Sequence, residues 1–315
     1  MKFFYLSVAA VCLSCSLLVA QNGNAASGGG TTSQVQMVIT AEVLRGKDIP
    51  APTAADIQIT QEQRNLEITS VVPLVGENGR LDLMILIDDR LNPAQSALFD
   101  QLRNFVQNQG AQTSVGIAYM QNGEVRIVQF PTKDHVLAAQ ALRAPAGIES
   151  AGASPYASLS TLLRGWAPGT APRREVLMIT DGIDRFETFG DFNMSLDQAV
   201  ADSQRVGVPV FAFYASALGH ASHSPALIHW GQTYLGRLAE ETGGEAYFNG
   251  PEPPATYEPY LADVAVHLAS QYLVTFLAEP QPGERFQSVR FRSRIPGVEL
   301  TAPYRFYLKE RPSVP

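Results

Sequence analysis

The stretch LDLMILIDDRLNPA, residues 81–94, decides how the chain folds. Residues 83–87 are an unbroken apolar run, and short runs of this kind mark strands buried on both faces of a sheet. The run ends abruptly in Asp88, Asp89, Arg90 and Asn92. Pro93 suits a first helical turn. Beyond it Ala94, Ala97, Leu98, Leu102, Phe105 and Val106 fall on one stripe of a helix over 93–106. A buried strand that passes through polar residues into an amphipathic helix is the repeating unit of an α/β sheet.

The alternation continues outward. Residues 115–120 read as the next strand, Gln121-Asn122-Gly123 as a hairpin turn, and 125–130 as the antiparallel partner. Helices are expected at 132–143 and 156–164, and a third buried strand at 176–180. A helix over 195–206, with Ser195 as its N-cap, leads through Gly207 into a strand at 208–214. The helix at 234–242 stops at Gly243-Gly244, and a strand at 245–248, a helix at 260–269 and a strand at 271–277 follow. This pattern predicts a doubly wound, mostly parallel central sheet with helices on both faces.

The flanks differ. Residues 34–43, 57–60 and 66–72 read as β, with a turn at Gly46-Lys47-Asp48, and 286–293 and 302–308 read as two strands around a Pro296-Gly297 turn. The expected organisation is a signal segment (1–26), a flexible linker (27–33), an N-terminal β segment (34–78), the α/β domain (79–278) and a C-terminal β appendix (279–315).

The 315 residues have room for one sizeable core or two modest ones. The net charge of −7 leaves no basic footprint for a nucleic-acid backbone. Met1-Lys2 followed by the apolar run to Ala20 and the small pair Ala25-Ala26 predicts a secretory signal peptide, and therefore a periplasmic or secreted protein. The alternative is an uncleaved anchor. Membrane attachment is expected only if this segment is retained or lipidated at Cys15. Cys12 and Cys15 are the only cysteines, so removal of the segment excludes disulfides, thiolate metal sites and cysteine nucleophiles.

In a doubly wound sheet, ligands sit at the carboxyl ends of the strands near a switch in strand order. Two strand ends here are acidic: Asp88-Asp89-Arg90-Leu91-Asn92 and Thr180-Asp181-Gly182-Ile183-Asp184. Such residues suit a hard divalent cation. They equally suit helix N-termini, where a negative charge gains roughly 0.3–1 kcal/mol.

Residues 81–94 resemble the opening strand and loop of von Willebrand factor type A (vWA) domains. REVLMITDGIDR (174–185) resembles their central strand with its Asp-Gly turn, VGVPVFAFYA (206–215) the next strand, and LAEETGGEAYF (238–248) a helix-to-strand passage they share. The segments at 38–63 and 268–300 are similar to the two ends of the acidobacterial VWFA-related domain family, so the resemblance spans nearly the whole mature chain. It implies a metal-ion-dependent adhesion site: D-x-S-x-S after the first strand, a later threonine, and an aspartate before glycine after the central strand. Asp88 and Asp181 match the two aspartates, and Ser154 falls near the threonine position. The serine positions hold Arg90 and Asn92, with Asp89 between Asp88 and Arg90. Asn92 offers a carbonyl oxygen, but Arg90 has only donors and cannot ligate. Its guanidinium is expected to pair with Asp88 or Asp181 where a cation would sit. The implied site is therefore degenerate, with weak Mg²⁺ or Ca²⁺ binding at most.

Two loops invite a functional reading. His220, His223 and His229, within 218–232, have a spacing that suits zinc or copper, but no fourth ligand is near in sequence. Plain surface chemistry is the expectation there. Phe186, Phe189, Phe192 and Met194 follow the Asp-Gly turn and form either an exposed contact patch or a set packed under their own loop. The chain contains no G-x-S-x-G, no H-E-x-x-H and no phosphate-cradling loop. The expected function is non-catalytic recognition of a protein partner through the strand-end loops. The alternatives are a structural subunit of a cell-envelope assembly, or a metal-assisted hydrolase using Asp88 and Asp181.

Overall fold

In chain order the computed structural model contains strands β1 (Ser33–Val43), β2 (Ile57–Gln61), β3 (Arg64–Asn65), β4 (Glu67–Pro73) and β5 (Leu81–Asp88), then helix α1 (Ser96–Gln107). There follow β6 (Thr113–Gln121), β7 (Glu124–Thr132), α2 (His135–Gln140), α3 (Pro155–Gly165), β8 (Arg173–Thr180), α4 (Met194–Val206) and β9 (Val210–Tyr214). The remainder is α5 (Pro225–Thr242), β10 (Ala246–Tyr247), α6 (Glu258–Ala269), β11 (Gln271–Ala278), β12 (Phe286–Ser288), β13 (Arg290–Ser293), β14 (Val298–Thr301) and β15 (Arg305–Tyr307). The structure describes residues 32–43, 51–147, 153–167, 171, 173–187, 189–217, 224–248, 250, 252, 254–281 and 283–308. The expected signal segment, the turn at 46–48, His220 and His223 lie outside the described residues.

Six strands form the central sheet in the order β10-β9-β8-β5-β6-β7, all parallel except the edge strand β7. Every residue of β5 and β8 is buried, the apolar runs at 83–87 and 176–179 together with the flanking charged residues. Alternate residues serve opposite faces. Leu83, Ile85 and Ile87 join α1, α2 and α6 in one core, while Met84 and Leu86 join α3, α4 and α5 in the other. Each such side chain, fully buried, contributes about 1.5–3 kcal/mol relative to exposure. The β6–β7 hairpin turns through Asn122 and Gly123 at φ of 52° and 79°, the pair of positive angles that a two-residue hairpin turn demands.

The flanks depart from the sequence expectation. β11 is absent from the central sheet and pairs antiparallel with β1 and β4, in a second sheet of order β14-β1-β11-β4. The two expected C-terminal strands meet only in part, and their remaining strands pair elsewhere. β12 pairs with β15, β13 with β2, and β14 with β1, and these strands share one core around Ile39, Ile59, Val274, Phe276 and Phe306.

Three helices also differ. The helix expected over 132–143 is only α2, because Thr132 completes β7 and Asp134 caps the first turn through Leu137 N, 2.9 Å away. α4 is capped by Asn193 rather than Ser195, its side-chain oxygen accepting from Leu196 N at 2.7 Å. α5 begins at Pro225 after a Ser224 cap, so His229 sits on a helix and not in a loop.

Candidate functional site

β5 and β8 are neighbours in register, Ile87 opposite Ile179, and the strand order reverses between them. Asp88 ends β5 and Asp181 directly follows β8, so both carboxylates emerge at the same edge, where loops from oppositely running halves of the sheet diverge. The chain beyond Asp88 turns sharply. Arg90 N donates to Asp88 Oδ1 at 3.0 Å, Leu91 bridges to Ala217, and Asn92 N donates to the Ser216 carbonyl at 3.1 Å.

That turn folds the Arg90 side chain back over the strand ends. Its Nε lies 3.2 Å from Asp88 Oδ1 and its Nη2 lies 2.8 Å from Asp88 Oδ2 and 3.1 Å from Asp181 Oδ1. Thr180 Oγ1 donates to Asp88 Oδ2 at 2.8 Å, and Ile183 N to Asp181 Oδ1 at 3.0 Å. Arg90, Asp88 and Asp181 are all buried. Burial alone would lower the Arg90 guanidinium, but the facing Asp88 and Asp181 outweigh it and hold it above the ordinary arginine value. Burial pushes the Asp181 carboxyl up and the nearby Asp88 charge adds to this, with Arg90 offsetting part of the effect. Two buried carboxylates thus share one cation. Asp181 Oδ2 and Arg90 Nη1 make no hydrogen bond among the described residues.

No family model matches the chain, and no curated protein does. Among solved structures it is similar to the BatB protein of Bacteroides thetaiotaomicron, at 12% identity and a TM-score of 0.43, over 60% of this chain and 97% of that one. It is also similar to an aerotolerance-related membrane protein of Bacteroides fragilis, at 13% identity and a TM-score of 0.40, over 60% and 98%. A von Willebrand factor type A protein of Catenulispora acidiphila matches at 11% identity and a TM-score of 0.45, over 89% and 75%. The strand order and the helices on both faces settle the architecture. The fold is a doubly wound α/β sheet of the vWA/Rossmann-like type.

At the switch point of this sheet the residues do not fit a divalent cation between Asp88 and Asp181, because the Arg90 guanidinium is already there, bonded to both. Asn92 spends its side-chain oxygen on Ala94 N, 3.0 Å away, as the cap of the following turn. Ser154 caps α3 by accepting from Ala157 N at 3.1 Å and donates to Asp184 Oδ2 at 3.0 Å. It lines a cavity of about 10 Å³ with Asp88, Arg90, Gly123 and Ser158, room for about one water. Asp89 faces away from this cluster. It accepts from both Arg143 terminal nitrogens at 2.7 and 2.8 Å, from Gln121 Nε2 at 2.8 Å and from Ala146 N at 2.8 Å, and so pins the loop after α2.

Thr180, Asp184 and Arg143 complete this arrangement. The first two belong to the strand end whose sequence suits a cation, so position was a usable signal for them. Arg143 is remote in sequence and has no such signal. In the loop after β8 and at the start of α4, Phe186, Phe189, Phe192 and Met194 are between 40% and 70% exposed, on the surface rather than packed under the loop. The Phe186 ring also lies against the β6–β7 turn at Gly123. His229 is exposed on α5 with its ring 5.9 Å from that of Trp230.

Proposed function

We propose that this is an exported, non-catalytic vWA-domain protein that recognises a protein partner through its strand-end loops, with Arg90 in the place of an adhesion-site metal. The supporting observation is the Arg90 guanidinium held between Asp88 and Asp181. A covalently tethered cation supplies the charge that the two carboxylates need and offers no open coordination position. Recognition then falls to the loop surface, where Phe186, Phe189, Phe192 and Met194 present apolar area beside the site. A cavity of about 10 Å³ beside Asp88 and Arg90 is far smaller than a substrate pocket.

The test is crosslinking in the envelope fraction with wild type, Phe192→Ser and Arg90→Ala, read by mass spectrometry. One stoichiometric partner, lost in Phe192→Ser, is the expected result. A partner retained at full occupancy by both variants would overturn the assignment of this face.

A second reading, a subunit of an envelope assembly, draws on β1. Over residues 33–39 the edge of β1 away from β11 has no strand partner among the described residues, because β14 pairs only with 40–43. An open edge of this kind accepts a strand from another chain. A homopolymer in the same crosslinking experiment would select this reading.

A further inference from the structure

Away from the switch point, three side chains from distant parts of the chain converge. His267 Nε2, near the end of α6, lies 3.2 Å from Glu42 Oε1 on β1 and 3.0 Å from Glu245 Oε2, just before β10. His267 is buried, while both carboxylates are partly open to solvent. We propose that Glu42, Glu245 and His267 form a binding site for a divalent transition metal of the zinc class, which clips the N-terminal strand to the α/β core.

Four observations carry this. The three donor atoms all lie within 4.8 Å of one another, and the two contacts of Nε2 are close to the ligand–ligand edge of about 3.3 Å that follows from zinc bond lengths of about 2.0–2.2 Å in a tetrahedron. The ring is oriented for ligation. Nδ1 faces two acceptors, the Asp263 carbonyl at 2.9 Å and Asp263 Oδ2 at 3.3 Å, so Nδ1 carries the proton and Nε2 is turned to the carboxylates. Nε2 is nonetheless buried without a well-directed hydrogen bond to either carboxylate. Finally, Glu42, Glu245 and Asp263 surround a single imidazole. Burial lowers its pKa, but Glu245 and Glu42 outweigh this and raise it to about 10. Zinc therefore displaces the Nε2 proton, and the dication then balances the remaining excess of negative charge. Outer contacts hold the acids in place, Thr301 Oγ1 donating to Glu42 Oε1 at 2.9 Å and Tyr247 to Asp263 Oδ2 at 2.9 Å. One imidazole and two carboxylates leave a fourth position for water and favour zinc over calcium.

The test is calorimetric titration of chelator-treated full-length protein with ZnSO₄, alongside Glu42→Gln, Glu245→Gln and Arg90→Ala. Both Gln substitutions are at partly exposed positions, and circular dichroism checks that the variants fold. The expected result is that wild type and Arg90→Ala bind one more equivalent of zinc than the Gln variants, or bind it at least tenfold more tightly. Zinc should also raise the Tm of wild type but not of Glu245→Gln. In ¹⁵N spectra Nε2 of His267 should shift on zinc addition while Nδ1 keeps its proton. Equal stoichiometry and affinity in wild type and both Gln variants would overturn the proposal, as would a His267 ring that stays a doubly protonated imidazolium in excess zinc.

Discussion

Arg90 closes a two-pronged pair with Asp88 only two residues away, Nε to Oδ1 at 3.2 Å and Nη2 to Oδ2 at 2.8 Å, with the Arg90 backbone N–H on the same Oδ1. Such a short loop is possible because Leu91 is tied to Ala217 and Asn92 to Ser216, which turns the chain back over its own strand. The same guanidinium then reaches Asp181 on the neighbouring strand end, 3.1 Å away.

Removing that cation should leave two carboxylates buried side by side. Arg90→Ser is expected to cost about 3–5 kcal/mol in metal-free buffer, the usual penalty for breaking a buried pair from one side. It also restores a hydroxyl and opens the space between Asp88 and Asp181, so millimolar Mg²⁺ should recover part of the loss by binding the folded state. Wild type should show neither Mg²⁺ nor Ca²⁺ heat in calorimetry. Urea melts with and without Mg²⁺ decide the matter, and identical Mg²⁺ responses in the two proteins would count against the reading.

Asp89 does separate work, and its pH signature should show it. Burial raises its carboxyl, but hydrogen bonds from Arg143, Gln121 and Ala146 N outweigh this and hold it below the ordinary aspartate value. A lowered folded value means that the stability is fully present above about pH 4 and is lost as the pH falls through the folded value. Arg143 is 42% exposed, so solvent screening limits its share. Asp89→Asn is expected to cost about 1–3 kcal/mol at pH 7. The difference from wild type should shrink below pH 4, measured by denaturant melts across that range.

Glu175 should behave in the opposite sense. It lies in the fully buried strand β8 with both oxygens lacking a hydrogen bond and Arg173 Nη1 at 3.7 Å. Burial pushes it up to about 7, with Arg173 offsetting only part of the effect. Because the folded value is raised, the folded state binds the extra proton, and stability falls as the pH climbs from the unfolded glutamate value of about 4.3 towards 7. The total effect is at most a few kcal/mol. Glu175→Gln should flatten this slope, which thermal melts between pH 4.5 and 8 will show.

The strand ends were legible because each strand carries a continuous apolar run, 83–87 in β5 and 176–179 in β8, that gives way to acidic residues within two positions. Arg90 was legible too, since a side chain with only donors cannot replace a serine ligand. β11 was not, because a short apolar run looks the same in whichever sheet receives it. The start of α5 hid behind Pro225 and a stretch of His, Trp and Gly that shows little helical pattern. Glu42, Glu245 and His267 carried no local signal at all. Glu42 lies more than two hundred positions from the other two and meets them only because β1 pairs with β11, the strand that follows α6.

A final prediction concerns how α5 is held against the site, and its sign is informative. Gly182 follows Asp181 with φ of +68°, and a Cβ there would come within 2.4 Å of the Gly231 carbonyl oxygen. The relation is reciprocal: a Cβ on Gly231, inside α5, would come within 2.4 Å of the Asp181 carbonyl oxygen. Helix propensity alone predicts that Gly231→Ala stabilises the protein by about 1 kcal/mol. The close approach predicts the reverse, because the obstructing atoms are backbone and yield only if α5 moves off the strand end. Overpacking of this kind costs about 1–3 kcal/mol. Gly182→Ala adds strain from a positive φ and should cost more than Gly231→Ala. Displacement of α5 would also disturb the Tyr234 hydroxyl, which donates to the Gly190 carbonyl at 2.8 Å, and with it the aromatic loop. Urea melts give the sign, and protease sensitivity around residues 186–192 reports the loop. A Gly231→Ala protein more stable than wild type would show that α5 does not bear on the Asp181 backbone.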